Sequence, residues 1–413
     1  MRNGIVVVVE GLSTGLVGAY GSNTAVTPAL DRLAAHGLVL DQCFVDSLDL
    51  RKQLHSIWTG CHAAQEWNSS WTMWKQFIVS GYEACLITDC AETALIAEQL
   101  GCPRVLLVEA DESTEPAEDW TECSLMRVFV SAVEEVSETE SNRIVWIHSR
   151  GLRLAWDAPI ELRERFMDPE DPQPPRDVCV PDIVVTDQTD PDEIIGWGQV
   201  AAAQVAVVDQ AIDILMSAIE SREDANDWSW MVLSPGGVPL GEHGRVGWGK
   251  PQLHGEEISC LAIIRAAVPE TGLQPPGSRR AELCQLPDLA MTFLDSLELL
   301  VPAAVSRWGQ SMLQPGSFSA PIGWLPQFQS AYIVGMAAQW IRTPAWSVTF
   351  SETEPPQLFV KPDDRWEISD VSSRRLDVVE RLREVASEFQ ECLKTRQREH
   401  LPKLEDELCN LLR

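Results

Sequence analysis

The chain has 413 residues, of which 45% are hydrophobic and 23% are charged, so its composition excludes global disorder. This length allows one large α/β domain with a smaller added layer, or two domains. The formal net charge of −30 repels phosphate backbones and anionic lipid headgroups, which argues against nucleic acid and membrane partners.

The first apolar stretch, residues 5–9 (IVVVV), is too short for the core of a signal peptide. No stretch approaches the length of a membrane span, so we expect a cytoplasmic location. The eleven cysteines contain no CxxC pair. In a reducing compartment we therefore expect free thiols rather than disulfides or a zinc site.

Short, almost continuously apolar runs alternate with helical patterns along most of the chain. Such runs are typical of strands that are covered on both faces. The predicted strands are residues 5–10, 84–88, 105–109, 144–148, 230–234 and 261–265. Thr27 followed by Pro28 predicts a helix with a hydroxyl cap, and residues 192–221 predict a long helix. This alternation indicates a largely parallel sheet between helices, with ligands expected outside the carboxyl ends of the strands.

The pattern of predicted strands and helices changes near residue 316. Shorter strand-like pieces follow at residues 331–335 and 346–350, and a charged helix is predicted from residue 373 to the end. We therefore divide the chain into an α/β domain over residues 1–315 and a small C-terminal subdomain over residues 316–413, which ends in a long helix.

Several short phrases occur in a fixed order between residues 4 and 315. They are AYG (19–21) with TPALDRLA (27–34), FVDS (44–47), IWTG (57–60), GYEA (81–84), LGEHG (240–244) with WGK (248–250), LPDLAMT (286–292) and WGQSML (308–313). Together they resemble the sulfatase family of the alkaline-phosphatase superfamily. The resemblance implies an α/β, alkaline-phosphatase/sulfatase-like fold, with a large, mostly parallel central sheet between helices and a smaller C-terminal subdomain.

The reaction of that family requires a hard divalent cation held by carboxylates and a Cys or Ser nucleophile at a helix N-terminus. Lysines and histidines neutralise the sulfate and protonate the leaving oxygen. Aligning the phrases assigns most of these roles to residues without the required chemistry. The equivalent positions are Glu10 and Gly11 (first metal pair), Leu50 and Leu54 (nucleophile and its arginine), Asp89 and Ala91 (Lys and His), and Pro235 and Gly236 (second metal pair).

His148 and Lys250 remain as pocket residues of the family pattern. One carboxylate cannot supply the roughly six oxygens that a hard divalent ion takes. The resemblance therefore implies no catalytic residue, no metal and no cofactor in this chain.

Three hypotheses about function stay open at this point. The leading one is a pseudoenzyme with a binding or regulatory role, whose ligand is a small anion or a protein. The second is a diverged sulfuric- or phosphoric-ester hydrolase with a relocated site. Its candidates are His55, His62, His148, His243 and His254, with Glu10, Asp46, Asp49 and Asp89 as partners. The third is an interaction module that uses the C-terminal helix, whose apolar stripe comprises Leu376, Val379, Leu382 and Val385.

Overall fold

The computed structural model describes residues 2–66, 71–109, 113–138, 142–267, 277–302, 308–313, 330–335, 338–396, 398–401 and 403–410. The strands are β1 (Asn3–Val9), β2 (Leu38–Leu40), β3 (Cys43–Phe44), β4 (Glu83–Thr88), β5 (Val105–Leu107), β6 (Arg143–Ser149), β7 (Asp182–Val184), β8 (Trp228–Ser234), β9 (Arg245–Gly247), β10 (Leu261–Arg265), β11 (Ser278–Arg280), β12 (Cys284–Gln285), β13 (Ala331–Val334), β14 (Ala338–Arg342), β15 (Trp346–Ser351) and β16 (Gln357–Val360). The helices are α1 (Pro28–His36), α2 (Leu50–Thr59), α3 (Met73–Val79), α4 (Ala91–Gln99), α5 (Met126–Glu138), α6 (Ile160–Glu164), α7 (Pro191–Glu220), α8 (Gly255–Ile258), α9 (Leu286–Ser296), α10 (Leu376–Thr395) and α11 (Asp406–Cys409).

The large sheet has the strand order β11-β2-β10-β8-β1-β6-β4-β5. Its strands pair in parallel except for β10, which is antiparallel to both of its neighbours, β2 and β8. The predicted α/β class with a mostly parallel sheet is confirmed, and each of the six predicted strands coincides with a strand of this sheet.

The packing of the central strand β1 explains why its residues 5–9 are all apolar. Ile5, Val7 and Val9 belong to a core cluster with residues of α1, α5 and α7. Val6 and Val8 belong to a second cluster with residues of α2, α3 and α9. Alternate side chains of a strand point to opposite faces, so helices on both faces require an apolar residue at every position.

The start of α1 corrects one prediction. Thr27 makes no capping bond to α1; its hydroxyl instead accepts a hydrogen bond from the amide of Gly18. The amides of Ala29 and Leu30 donate to the carboxylate of Asp209, at 3.0 and 2.9 Å. A residue of α7, distant in sequence, therefore caps this helix.

The C-terminal part contains a four-stranded antiparallel sheet in the order β13-β14-β15-β16. Helix α10 packs on this sheet through Val379, Leu382 and Val385, which are buried, whereas Leu376 is 61% exposed. Most of the apolar stripe that suggested an interaction helix is therefore used inside the protein. The boundary near residue 315 stays a prediction, because residues 314–329 lie outside the described part of the chain.

Two further expectations need correction. The C-terminal helix does not run to the end of the chain: α10 ends at Thr395, where Arg396 takes a left-handed conformation with φ 58°.

The sequence analysis also predicted that no stretch has the length of a membrane span. By length and composition α7 qualifies, and 72% of its apolar window is buried inside the protein. No disulfide joins the cysteines in the described part of the chain, and their redox state stays a prediction.

A polar network joins the loops after β8 to the C-terminal sheet. The rings of His243 and His254 stack with their centroids 3.6 Å apart. His243 pairs through Nδ1 with Glu256 at 2.7 Å, and His254 pairs through Nδ1 with Glu367 at 3.1 Å. Lys361 also contacts Glu367, at 3.1 Å. Burial raises the pKa of Glu367, but His254 and Lys361 outweigh burial and hold that pKa at about 2.

This network predicts a loss of stability at alkaline pH. Burial lowers the pKa of His243, but Glu256 and Glu367 outweigh burial and raise it from 6.5 to about 9. Because the folded state holds this proton more tightly than the unfolded state, the stabilisation is complete below pH 6.5 and is lost as the pH rises through 9. We expect the melting temperature to fall by roughly 2–5 °C between pH 6.5 and 9.5.

The control is His243→Gln, which cannot titrate. Its melting temperature at pH 6.5 should be lower than that of the wild type, and the difference between the two proteins should shrink toward pH 9.5. Parallel curves over this pH range would show that His243 does not carry the effect.

Candidate functional site

The carboxyl ends of β1, β6 and β8 meet at one edge of the large sheet. Strand β1 lies between β6 and β8 and is parallel to both. Glu10 directly follows β1, His148 is the second-last residue of β6, and Pro235 and Gly236 directly follow β8. These sequence-predicted positions therefore lie at one place, as parallel strands require.

Leu50 is the first residue of α2, which also starts at this edge. Asp49 caps the helix, and its carboxylate accepts a hydrogen bond from the amide of Lys52 at 3.0 Å. The side chains of Leu50 and Leu54 line a small cavity together with His148 and Pro235. The full lining is Val8, Leu50, Gln53, Leu54, Ile57, Trp146, His148, Leu233, Pro235 and Leu286. This nearly apolar space has room for about one water molecule.

Glu10 carries a carboxylate into this edge and is only 2% exposed. Its Oε1 lies 2.9 Å from Nε2 of His148, which is itself 1% exposed. Its Oε2 lies 3.1 Å from Nε of Arg153, in the turn after β6. Both carboxylate oxygens therefore have a partner.

Trp248 packs beside this group of residues. The guanidinium of Arg153 lies over the Trp248 ring, 4.1 Å from its centroid. The indole Nε1 donates to the carbonyl of Leu152 at 3.0 Å. Gly11 has φ +80°, and a Cβ at that position would lie only 2.8 Å from Cζ2 of Trp248. Glycine therefore lets the indole approach the end of β1.

Asp89 and Ala91 follow the neighbouring strand β4. The Asp89 carboxylate accepts hydrogen bonds from the hydroxyl of Ser149 and from the amide of Arg150, both at 2.8 Å. Burial raises the pKa of Asp89, although these hydrogen bonds oppose the rise. Ala91 is the first residue of α4 and is exposed. Asp89 thus fixes the turn that leads from His148 to Arg153.

Two further cations, Lys250 of the family pattern and Arg51 beside Leu50, lie away from the cavity. Lys250 is exposed and is not among the residues that line the cavity. Arg51 forms an exposed ion pair with Glu92 at 3.1 Å. Of the two family pocket residues that the sequence retains, the structure brings only His148 to the cavity.

The remaining candidates for a relocated site have structural partners. The hydroxyl of Thr59 lies 3.3 Å from Nδ1 of His55, and burial lowers the pKa of His55 to about 4. His62 Nε2 lies 2.9 Å from the carbonyl of Tyr332, and burial lowers its pKa to about 3. Asp46 accepts hydrogen bonds from the hydroxyl of Ser56 and the amide of Ala63, both at 2.7 Å, and burial raises its pKa to about 7. His243 and His254 belong to the C-terminal network described above.

By sequence, neither a family model nor a curated protein matches this chain. Solved structures match it closely. The phosphonate monoester hydrolase of Agrobacterium radiobacter has a TM-score of 0.74 at 13% identity, covering 97% of this chain and 96% of that one. A 2-O GAG sulfatase has a TM-score of 0.72 at 15% identity, covering 99% and 96%. The phosphonate monoester hydrolase of Silicibacter pomeroyi has a TM-score of 0.67 at 13% identity, covering 95% of each chain.

The chain has the fold of these hydrolases. The sulfatase-like fold implied by the sequence phrases is thereby confirmed over almost the whole length. At 13–15% identity the likeness concerns the fold, so the chemistry has to be argued from the residues themselves.

The residues of the site do not fit the divalent cation that sulfatases use. Glu10 is one carboxylate with both oxygens engaged, and Gly11, Pro235 and Gly236 have no side-chain oxygen to offer. Within the described ranges, no group of three or more His, Cys, Asp and Glu residues is arranged to hold a metal ion.

Sequence reasoning missed Arg153 and Trp248. Arg153 is a single arginine two residues after Gly151, and it belongs to no recognisable sequence motif. Trp248 belongs to the WGK phrase, in which Lys250 was the expected pocket residue. The position of Arg153 in the sequence could have indicated a role at the site, because it lies four residues after the end of β6, the strand that contains His148.

The role of Asp89 predicts a stability effect. Replacing it by alanine leaves the Ser149 hydroxyl and the Arg150 amide without their acceptor, so Asp89→Ala should lower the free energy of unfolding by about 1–3 kcal/mol. Asp89→Asn keeps one acceptor oxygen and should lower the free energy of unfolding by a smaller amount. Urea unfolding of both variants measures this, and an Asp89→Ala protein as stable as the wild type would contradict the assignment.

Proposed function

We propose that this protein is a non-catalytic, sulfatase-like protein that acts by binding another protein. One observation carries the proposal: Leu50 begins the helix where the family resemblance expects the nucleophile, and its side chain faces an apolar cavity. The residues that line this cavity include no serine, threonine or cysteine that could attack an ester.

The polar residues that remain support the same reading. His148 Nε2 and Glu10 Oε1 lie 2.9 Å apart, and histidine and glutamate are residue types that act in proton transfer. Proton transfer assists a reaction but does not replace a nucleophile or the charge that neutralises a sulfate. A relocated hydrolytic site would have to recruit residues that already have structural partners.

A protein partner is favoured over a small anion. The N-terminus of α2 would attract an anion through its free amides, but the carboxylate of Asp49 already accepts the Lys52 amide there. Arg51 is engaged with Glu92, and Lys250 lies outside the cavity lining. The leucine-lined cavity has room for about one water molecule, which is too small for sulfate or phosphate.

The proposal predicts that the purified protein hydrolyses neither aryl sulfates, nor phosphate monoesters, nor phosphonate monoesters. It also predicts no stoichiometric binding of Ca²⁺ or Mg²⁺ by calorimetry. The control is Glu10→Ala: turnover that survives this change would reveal a relocated active site. Turnover that Glu10→Ala abolishes would mean that the remnant carboxylate still supports catalysis.

The choice between anion and protein predicts a second result. Titration with sulfate or phosphate at constant ionic strength should give no saturable rise in the melting temperature, because the carboxylate of Asp49 occupies the helix terminus. The variants Lys250→Ala and Asp49→Asn test the charges around it. Saturable stabilisation of the wild type that disappears in Lys250→Ala would establish an anion site instead.

A further inference from the structure

We propose that the guanidinium of Arg153 is a built-in cation, which takes the place of a bound metal ion as the counter-charge of Glu10. The inference deepens the non-catalytic proposal above and rests on it for its functional meaning. It starts from two distances: Arg153 Nε lies 3.1 Å from Oε2 of Glu10, and His148 Nε2 lies 2.9 Å from Oε1.

Glu10 needs a cation because its carboxylate is buried, with 2% of the residue exposed. Removing an ionised carboxylate from water is strongly unfavourable unless an opposite charge and hydrogen bonds compensate. His148 supplies a hydrogen bond, and Arg153 supplies the permanent positive charge, since a guanidinium stays protonated in proteins.

The turn after β6 places the guanidinium of Arg153 beside the carboxylate of Glu10. The amide of Leu152 donates to the carbonyl of Glu10 at 2.9 Å, and the amide of Arg153 donates to the carbonyl of Arg150 at 2.8 Å. These backbone bonds tie the turn to the end of β1. Asp89 fixes the start of the same turn through Ser149 and Arg150.

Trp248 then orients the guanidinium. The planar group lies 4.1 Å from the centroid of the indole ring, an arrangement that stabilises a cation over an aromatic face. The indole is held by its bond to the Leu152 carbonyl and reaches this position because Gly11 has no Cβ. The side chain of Arg153 is 35% exposed, whereas that of Glu10 is 3% exposed, so solvent reaches the pair from the arginine.

A guanidinium suits this donor set better than a divalent ion. One carboxylate oxygen is sufficient for an arginine ion pair, whereas Ca²⁺ or Mg²⁺ takes about six or more oxygens. The positions that could have added oxygens are Gly11, Pro235 and Gly236, whose side chains have none. The buried carboxylate of Glu10 therefore still requires a positive charge, although the side chains at the other positions cannot coordinate a metal ion.

A double-mutant cycle on thermal unfolding, in the presence of EDTA, tests the pair. The proteins are the wild type, Arg153→Ala, Glu10→Gln and the double variant. Arg153→Ala should lower the melting temperature by roughly 3–6 °C in the wild-type background and much less in the Glu10→Gln background. If Arg153→Ala does not fold, Arg153→Gln replaces it in the same cycle. Equal losses in both backgrounds would overturn the proposal and leave Arg153 as a packing partner of Trp248.

Chemical rescue then identifies the kind of cation, without EDTA. Methylguanidinium at millimolar concentration should raise the melting temperature of Arg153→Ala in a saturable way, but not that of the wild type or the double variant. Ca²⁺ and Mg²⁺ at equal ionic strength should not do so. Rescue by the divalent ions would overturn the claim that the metal ligands are lost. Failure of methylguanidinium would overturn the claim that a guanidinium fits.

Arg51→Ala is the matched control, since Arg51 and Glu92 form a pair with the same 3.1 Å separation but with side chains 47% and 48% exposed. It should lose little stability and show no rescue. The stability cycle is independent of the hydrolysis assays. A failed cycle leaves the non-catalytic proposal standing, and hydrolytic turnover would remove that proposal without changing the result of the cycle.

Discussion

The parallel pairing of β6, β1 and β8 is the constraint on which the candidate site depends. It brings the ends of three strands to one edge, and it buries whatever side chain follows the central strand. In this chain that side chain is Glu10, so a negative charge is placed among apolar residues. The turn after β6, the indole of Trp248 and the absence of a Cβ at Gly11 all serve to compensate that charge.

The sequence predicted the main strands well because helices cover both faces of the large sheet, which makes the central positions of these strands apolar. It did not predict the short strands β2, β3, β7, β9, β11 and β12, since two or three residues are too few to show a periodicity, and it also missed β14 and β16. The cap of α1 was predicted wrongly because Asp209 reaches it across about 180 residues, and the end of α10 because Arg396 leaves the helix without a glycine.

The positions of the candidate site could be predicted, but its interactions could not. The order of the phrases that resemble the sulfatase family located Glu10, Leu50 and Pro235, and the fold places them at one edge of the large sheet. Ion pairs such as that of Arg153 with Glu10 join residues about 140 positions apart, and no local sequence pattern predicts such pairs. The same applies to the contact of Glu367 with His254, 113 positions apart, which links the C-terminal part to the loops after β8.

The two large core clusters explain how such a fold can keep its structure while its site changes. Ile5, Val7 and Val9 pack toward one layer of helices, and Val6 and Val8 pack toward the other. Their packing does not require a nucleophile or a metal at the strand ends. The buried carboxylate of Glu10 would be destabilising without a partner, and in this chain the side chain of Arg153 supplies that partner. By our proposal, Arg153 takes the place of a bound ion beside Glu10, so the fold at this edge of the sheet would not depend on a cofactor.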